Sequence, residues 1–139
     1  MNFPDRAKEL YLSGYTCSES VLHAAKDAGL IDVPPEFLKI ATGFLAGIGH
    51  SRSLCGALAS AVMIVSLKYG RTDKEQSKDN ADQKCAAVFK RFLQKYGNEH
   101  CSEIASASRT GVEFLDPKRR EYCADVIKTV AGIVEEVFY

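Results

Sequence analysis

No C-x-x-C pair occurs in this chain, although it holds five cysteines, at positions 17, 55, 85, 101 and 123. That absence excludes zinc ribbons, thioredoxin-type redox sites and bacterial ferredoxin runs, all of which need closely spaced pairs. Net charge is missing too. The 18 basic residues balance 18 acidic ones, so no global field argues for nucleic acid or an anionic membrane as partner. The only dense basic cluster, Lys118-Arg119-Arg120, reads as the solvated first turn of a helix. There is no long apolar span, and the opening MNFPDRAKEL lacks the apolar region of a signal peptide, so a cytoplasmic location with no membrane contact is expected. An odd cysteine count without an export signal also argues against a secreted disulfide framework. In a reducing compartment such cysteines are core fillers, metal ligands or working thiols.

Alternating strand patterns are lacking as well, and what is present reads as helix throughout. Pro4 opens a first helix that ends near Ser13-Gly14. Thr16-Cys17-Ser18-Glu19 fits a capping box, with Thr16 as N-cap, and Gly29 closes that second helix. A third helix starts around Pro34-Pro35 and frays into the loop Gly43 to Gly49; a fourth runs from near Ser53 to Gly70. Thr72-Asp73-Lys74-Glu75 reads as a second capping box opening a long fifth helix. Its stripe of Cys85, Val88, Phe89, Phe92, Leu93 and Tyr96 has the spacing of one buried face, and Gly97 ends it. Asn98 caps a short helix through Ser106. Asp116-Pro117 starts a last helix with the stripe Cys123, Ile127, Val130, Val134 and Val137. Short connections and 139 residues predict an all-α fold: one single-domain antiparallel bundle of six or seven helices spanning residues 1–139.

Three cysteines fall at or near helix starts: Cys17 at N1, Cys101 at N3, and Cys55 about two residues in. Free N–H groups and the positive dipole end favour a thiolate there. The effect is modest, because about 0.3–1 kcal/mol lowers a thiol pKa by less than about one unit from about 8.5. A largely ionised cysteine needs a cation or metal besides. His50 and Arg52 are near Cys55 in sequence, and His100 precedes Cys101. Cys85 and Cys123 sit on apolar stripes, where free cysteine is an ordinary core filler; His23 reads as a surface or satisfied core residue. Four cysteines on separate helices could still converge at one end of a bundle, which is how such folds build metal sites. The glycine loop lacks the lysine of a phosphate-binding loop and follows a helix instead of a strand, so nucleotide binding is not expected. Its glycines serve turns or close approach to a bound group, and Gly56, Ala57, Ala59, Ser60 and Ala61 keep the surface beside Cys55 low. No G-x-S-x-G elbow supports a hydrolase.

The chain resembles the C_GCAxxG_C_C family of redox-active proteins, named for four spaced cysteines. The matching residues are Gly14-Tyr15-Thr16-Cys17, Gly43-Phe44 and Gly47, Cys55-Gly56-Ala57, Leu67-Lys68-Tyr69-Gly70, Tyr96-Gly97, Cys101 and Cys123. The resemblance implies Cys17, Cys55, Cys101 and Cys123 as the working set, with Cys85 outside it. Ser60 stands where the motif's closing glycine is expected, and Ser66 at a further small position. A more distant resemblance to the iron–sulfur portion of split-Soret cytochromes implies a cluster site. Four thiolates match the ligand set of an iron–sulfur cluster, with Gly47, Gly49 and Gly56 making room. Without a cofactor, two pairs could cycle between dithiol and disulfide, with Cys55 attacking, His50 or Arg52 assisting, and Cys101 or Cys123 resolving. The competing readings are a structural four-cysteine zinc site and a helical interaction module with inert cysteines. In the module the last helix's stripe, ending Val137-Phe138-Tyr139, would form a homodimer interface. The redox partner is not readable from the sequence.

Overall fold

The computed structural model describes residues 1–139, and all of its regular structure is helical. Seven α-helices follow one another: α1 (Phe3–Ser13), α2 (Cys17–Asp27), α3 (Gly56–Tyr69), α4 (Asp79–Tyr96), α5 (Cys101–Ile104), α6 (Ala107–Thr110) and α7 (Pro117–Phe138). Between α2 and α3 lies a 3₁₀ segment, Pro35–Phe44, where an α-helix was expected. Its buried side chains are only Leu38 and Ala41, so it has too narrow an apolar stripe to dock as a full helix.

Several predicted caps form. Thr16 Oγ1 accepts from the Glu19 N–H at 3.3 Å, and the Glu19 carboxylate accepts from the Thr16 N–H at 3.1 Å, completing the box. Asp116 accepts from the Lys118 N–H at 2.9 Å with Pro117 in the first turn, and Gly97 closes α4 with φ 73°. The second predicted box does not form. The Gln76 side chain takes the Thr72 and Asp73 N–H groups at 3.0 and 3.3 Å instead, and Arg71 binds the Lys74 and Gln76 carbonyls. Residues 72–78 thus satisfy one another as a loop, and α4 starts six residues later than Thr72-based capping would place it, at Asp79.

Helix α3 also starts late, at Gly56 and not Ser53. Residues 53–55 are held extended against 99–101 by an isolated antiparallel bridge between Leu54 and His100. The Cys55 N–H donates to Glu99 O at 2.9 Å and the Cys101 N–H to Ser53 O at 2.6 Å, so a backbone ladder competes successfully with an added helical turn. On the partner side, Asn98 does not cap a helix. Its side chain accepts from the His100 N–H at 2.8 Å, and α5 begins at Cys101 and gives way to α6 after Ile104.

The helices surround one core of 29 buried residues, with α7 against α1, α2, α3 and α4. The ion pairs Lys128–Asp5 and Lys8–Asp125 run α1 antiparallel to α7, and Lys84–Val137 O with Arg91–Glu136 does the same for α4. In consequence α2, α3 and α7 all begin at one end of the bundle. The α7 stripe expected to be free for a homodimer is internal: Val130, Val134, Val137 and Phe138 are all buried, and only Tyr139 stands exposed. No helix is long and apolar enough to cross a membrane.

Candidate functional site

Where the helix starts meet, they enclose a cavity of about 150 Å³ lined by 18 residues, 13 of them hydrophobic. Cys17, Cys55, Cys101 and Cys123 all line it, together with His50 and Gly56. Each thiol arrives on a different element. Cys17 opens α2 behind its capping box, Cys55 is the N-cap of α3, Cys101 is the first residue of α5 (N1, where N3 was expected), and Cys123 sits in the second turn of α7. The bridge that delays α3 is what ties Cys55 to Cys101. Cys85 faces Ser66 Oγ at 3.8 Å, on another part of the bundle, outside the cavity.

The glycines divide by role. A Cβ on Gly56 would lie 2.5 Å from Cys17 Sγ and 2.8 Å from Phe44 O, so the backbone of α3 comes against the first cysteine only because this residue has no side chain. Gly47 and Gly49, expected beside a bound group, do not line the cavity. Gly47 is packed under the chain, where a Cβ would meet Ser53 N at 2.4 Å, and Gly49 faces open space. Both belong to a left-handed turn in which Ala46, Gly47, Ile48, Gly49 and His50 all have positive φ. Left-handed backbone costs about 1–2 kcal/mol per non-glycine residue. The turn is held by its own bonds, among them Arg52 N–H to Ala46 O and Ser53 N–H to Gly47 O, both 2.9 Å. It brings the Ala46 N–H to the Cys17 thiol and leaves His50 exposed at the mouth.

Ser60, at the expected motif glycine, is fully buried but does not line the cavity. Its hydroxyl donates to Ser18 O at 2.5 Å, so the extra atoms fasten α3 to α2 and take nothing from the site. Ser66 lies far along α3 and is exposed.

Burial dominates the electrostatics of the thiols. Desolvation pushes Cys55 up to about 12, with the neighbouring Cys17 adding to the rise and the N–H groups of Leu58 and Ala57 opposing it. Desolvation likewise raises Cys17, against the Ala46 N–H, and raises Cys101, against the Arg52 guanidinium. The helix-start effect is present but smaller than the cost of taking a thiolate out of water. Burial thus works against Cys55 as an attacking thiol. It is only 8% exposed and protonated at neutral pH, and Arg52 acts on Cys101 instead.

Sequence reasoning missed the cationic side of the cavity. Arg119 and Arg120, expected in a solvated first turn, are half-buried and line it, while only Lys118 of that run is exposed. Arg119 Nη1 donates to Tyr11 Oη at 2.8 Å and to Cys123 Sγ at 3.8 Å, and its Nε donates to Phe114 O at 2.9 Å. Arg120 donates to Tyr11 O at 2.6 Å and lies 4.6 Å over the Tyr11 ring. Phe114 carries two guanidiniums, those of Arg52 at 4.1 Å and Arg119 at 4.3 Å. Tyr11 is pushed up to about 12 by burial first and by Cys123 second, so it stays a neutral hydroxyl. The available signal was the i, i+4 spacing of Arg119 and Cys123, which puts a guanidinium on the thiol's own helix face.

The other histidines lie elsewhere. His23 packs against the Tyr15 ring at 4.9 Å, and His100 pairs with Glu99 at 3.6 Å on the surface.

Comparison with known proteins agrees with this architecture of spaced cysteines. A family model described as "Putative redox-active protein (C_GCAxxG_C_C)" matches residues 15–137. An uncharacterized protein of Archaeoglobus fulgidus is 22% identical over 136 residues, covering 92% of this chain and 87% of its own length. No solved structure matches.

Proposed function

The chain belongs to the C_GCAxxG_C_C family, named as redox-active, and from that premise we propose that Cys17, Cys55, Cys101 and Cys123 together hold an iron–sulfur cluster in their shared cavity. The observation that carries the reading is that four helical elements each deliver one thiol to a single, mainly apolar space. Four cysteine thiolates are the usual ligand set of [2Fe–2S] and [4Fe–4S] centres. The chemistry such a centre supplies is reversible one-electron transfer.

Three features of the chain support this fit. Gly56 withdraws a side chain from the space beside Cys17. Burial raises Cys17, Cys55 and Cys101 and leaves little thiolate to start thiol–disulfide exchange, so that is the weaker reading. The guanidiniums of Arg52, Arg119 and Arg120 stand ready to balance the negative charge that four thiolates bring. A single zinc ion fits less well. It requires its sulfurs at about 2.3 Å from one point, and no three His, Cys, Asp or Glu side chains are grouped closely enough to hold one ion.

Anaerobic purification, with visible absorption and iron, sulfide and zinc content measured on one sample, tests the proposal. Iron with charge-transfer absorption is expected, lost on replacing any of the four cysteines by serine and kept in Cys85→Ser. A colourless protein, a one-to-one zinc content, or iron indifferent to those four substitutions would overturn it.

A further inference from the structure

The chain as a whole is electrically balanced, yet the wall of its thiol cavity is not. Arg119 and Arg120 line the cavity with His50, and no aspartate or glutamate does. Arg52 stacks on Phe114 at the same wall and reaches Cys101. None of these three arginines belongs to an ion pair, whereas Arg6, Lys8, Arg91 and Lys128 all find carboxylates on the surface. Their partners are uncharged: the Tyr11 hydroxyl and carbonyl, the Phe114 carbonyl and ring, and the thiols of Cys101 and Cys123. Arg52 Nε is moreover the only buried side-chain nitrogen or oxygen without a hydrogen-bond partner. A buried donor left open in this way has an unmet claim on an acceptor.

Guanidiniums held in a fixed fork, on an apolar wall and free of internal carboxylates, bind carboxylates and oxyanions. We propose that Arg52, Arg119 and Arg120 form an anion-collecting mouth that brings a small carboxylate or oxyanion ligand into the cavity against Cys101 and Cys123. The cavity size limits the ligand to a few heavy atoms, and its apolar lining favours one with a small uncharged body. The aromatic stacking supports the same use, because Phe114 and Tyr11 fix the guanidinium planes before a ligand arrives. This inference rests on the cavity's belonging to the redox site but not on a cluster occupying it.

The test is competitive alkylation of the full chain, thiols reduced and a chelator present, with iodoacetate as the anionic probe and iodoacetamide as its neutral twin. Attack by Cys101 or Cys123 forms one S–C bond and expels iodide in both cases, so the rate ratio isolates the probe's charge. Each cysteine is followed by peptide mass mapping, and the same ratio is taken on the denatured chain as reference. The folded protein is expected to favour iodoacetate at Cys101 or Cys123 by about tenfold over that reference, the low end of what a cleft lined by one charge sign achieves. Arg119→Gln with Arg120→Gln should remove most of the preference, and Lys118→Gln should leave it. Should the arginine variants misfold, the unaltered chain still decides the matter. Its preference must collapse in 1 M salt, where the screening length is about 3 Å. A folded-state ratio equal to the denatured one, or a preference indifferent to both salt and arginine removal, overturns the proposal. A chain that binds iron in the anaerobic metal analysis but lacks the preference refutes the mouth alone, and one that binds none there yet keeps the preference refutes the cluster alone.

Discussion

Gly56→Ala is the smallest change that reports on the site's construction. The added Cβ would stand 2.5 Å from Cys17 Sγ, 2.8 Å from Phe44 O and 3.3 Å from Ser18 Cβ. The thiol can rotate away, but Phe44 O is backbone and Ser18 is pinned by its hydroxyl bond to Ala41 O at 2.7 Å. Helix α3 must therefore move off α2. Overpacking of this kind costs about 1–3 kcal/mol, and the exchange of glycine for alanine in a helix returns at most about 1 kcal/mol. The net expectation is a loss of roughly 1–2 kcal/mol, or roughly 3–7 °C in Tm for a chain of this size. Gly132→Ala supplies the control. It lies within α7 with nothing within 4 Å of its would-be Cβ, so the propensity gain of about 0.5–1 kcal/mol stands alone and this variant is stabilised. Urea and thermal unfolding of the pair, with labelling of Cys17 in the native state, measure both effects. A Gly56→Ala protein as stable as Gly132→Ala, with Cys17 no more reactive than before, would refute the close approach of α3 to Cys17.

The remaining expectations need less argument. Cys55 is raised to about 12 in the fold against about 8.5 when free. Stability on this account is level below about pH 8.5 and falls as pH climbs toward 12, because the unfolded chain loses its proton first. Equilibrium unfolding across that range should show a shallower alkaline loss in Cys55→Ala, and an unchanged slope would contradict the burial. Ser60→Ala removes the bond to Ser18 O and should cost about 1 kcal/mol while leaving metal content untouched; a lost cofactor would mean that Ser60 serves the site directly. Metal loading of the reduced chain should release protons. Its affinity should weaken by about tenfold per pH unit for each thiol that must ionise, readable by calorimetry in buffers of different protonation enthalpy.

The helices were legible wherever a local rule was unopposed. Thr16 with Glu19, Asp116 with Pro117 and Gly97 each satisfy groups within four residues, so neighbouring sequence suffices to place them. Misplaced starts came from distant competition. Ser53 would have begun α3 but for residues 99–101, which lie more than forty positions away and take its backbone into a ladder. Thr72 failed for a nearer reason, since the Gln76 amide reached its N–H before a helix could form. The cysteine set was legible only through the family resemblance, because Cys85 and Cys123 both lie mid-stripe on their helices and local pattern does not tell them apart. The arginines were not. A Lys-Arg-Arg run at a helix start reads as solvated, and only the packing of α1 beside α7 supplies the Tyr11 ring and carbonyl that turn two of its members inward.

That inward turn bears on how buried thiols and three cations outside any ion pair can share one wall. Three of the cysteines begin helices or cap them, where the dipole favours a thiolate by about 0.3–1 kcal/mol each. Desolvation works against ionisation and wins, as the upward shifts of Cys17, Cys55 and Cys101 record. The guanidiniums are held by aromatic faces, the Phe114 and Tyr11 carbonyls, the Tyr11 hydroxyl and the Cys123 sulfur. Hydrogen bonds to neutral partners hold Arg119 and Arg120 without cancelling their charge, and Arg52 Nε has no such partner. The fold therefore sets positive groups that have no carboxylate partner beside thiols whose ionisation burial opposes. Any occupant that displaces the thiol protons gives those positive groups a counter-charge. For that reason loss of an arginine should weaken loading more than it weakens the fold.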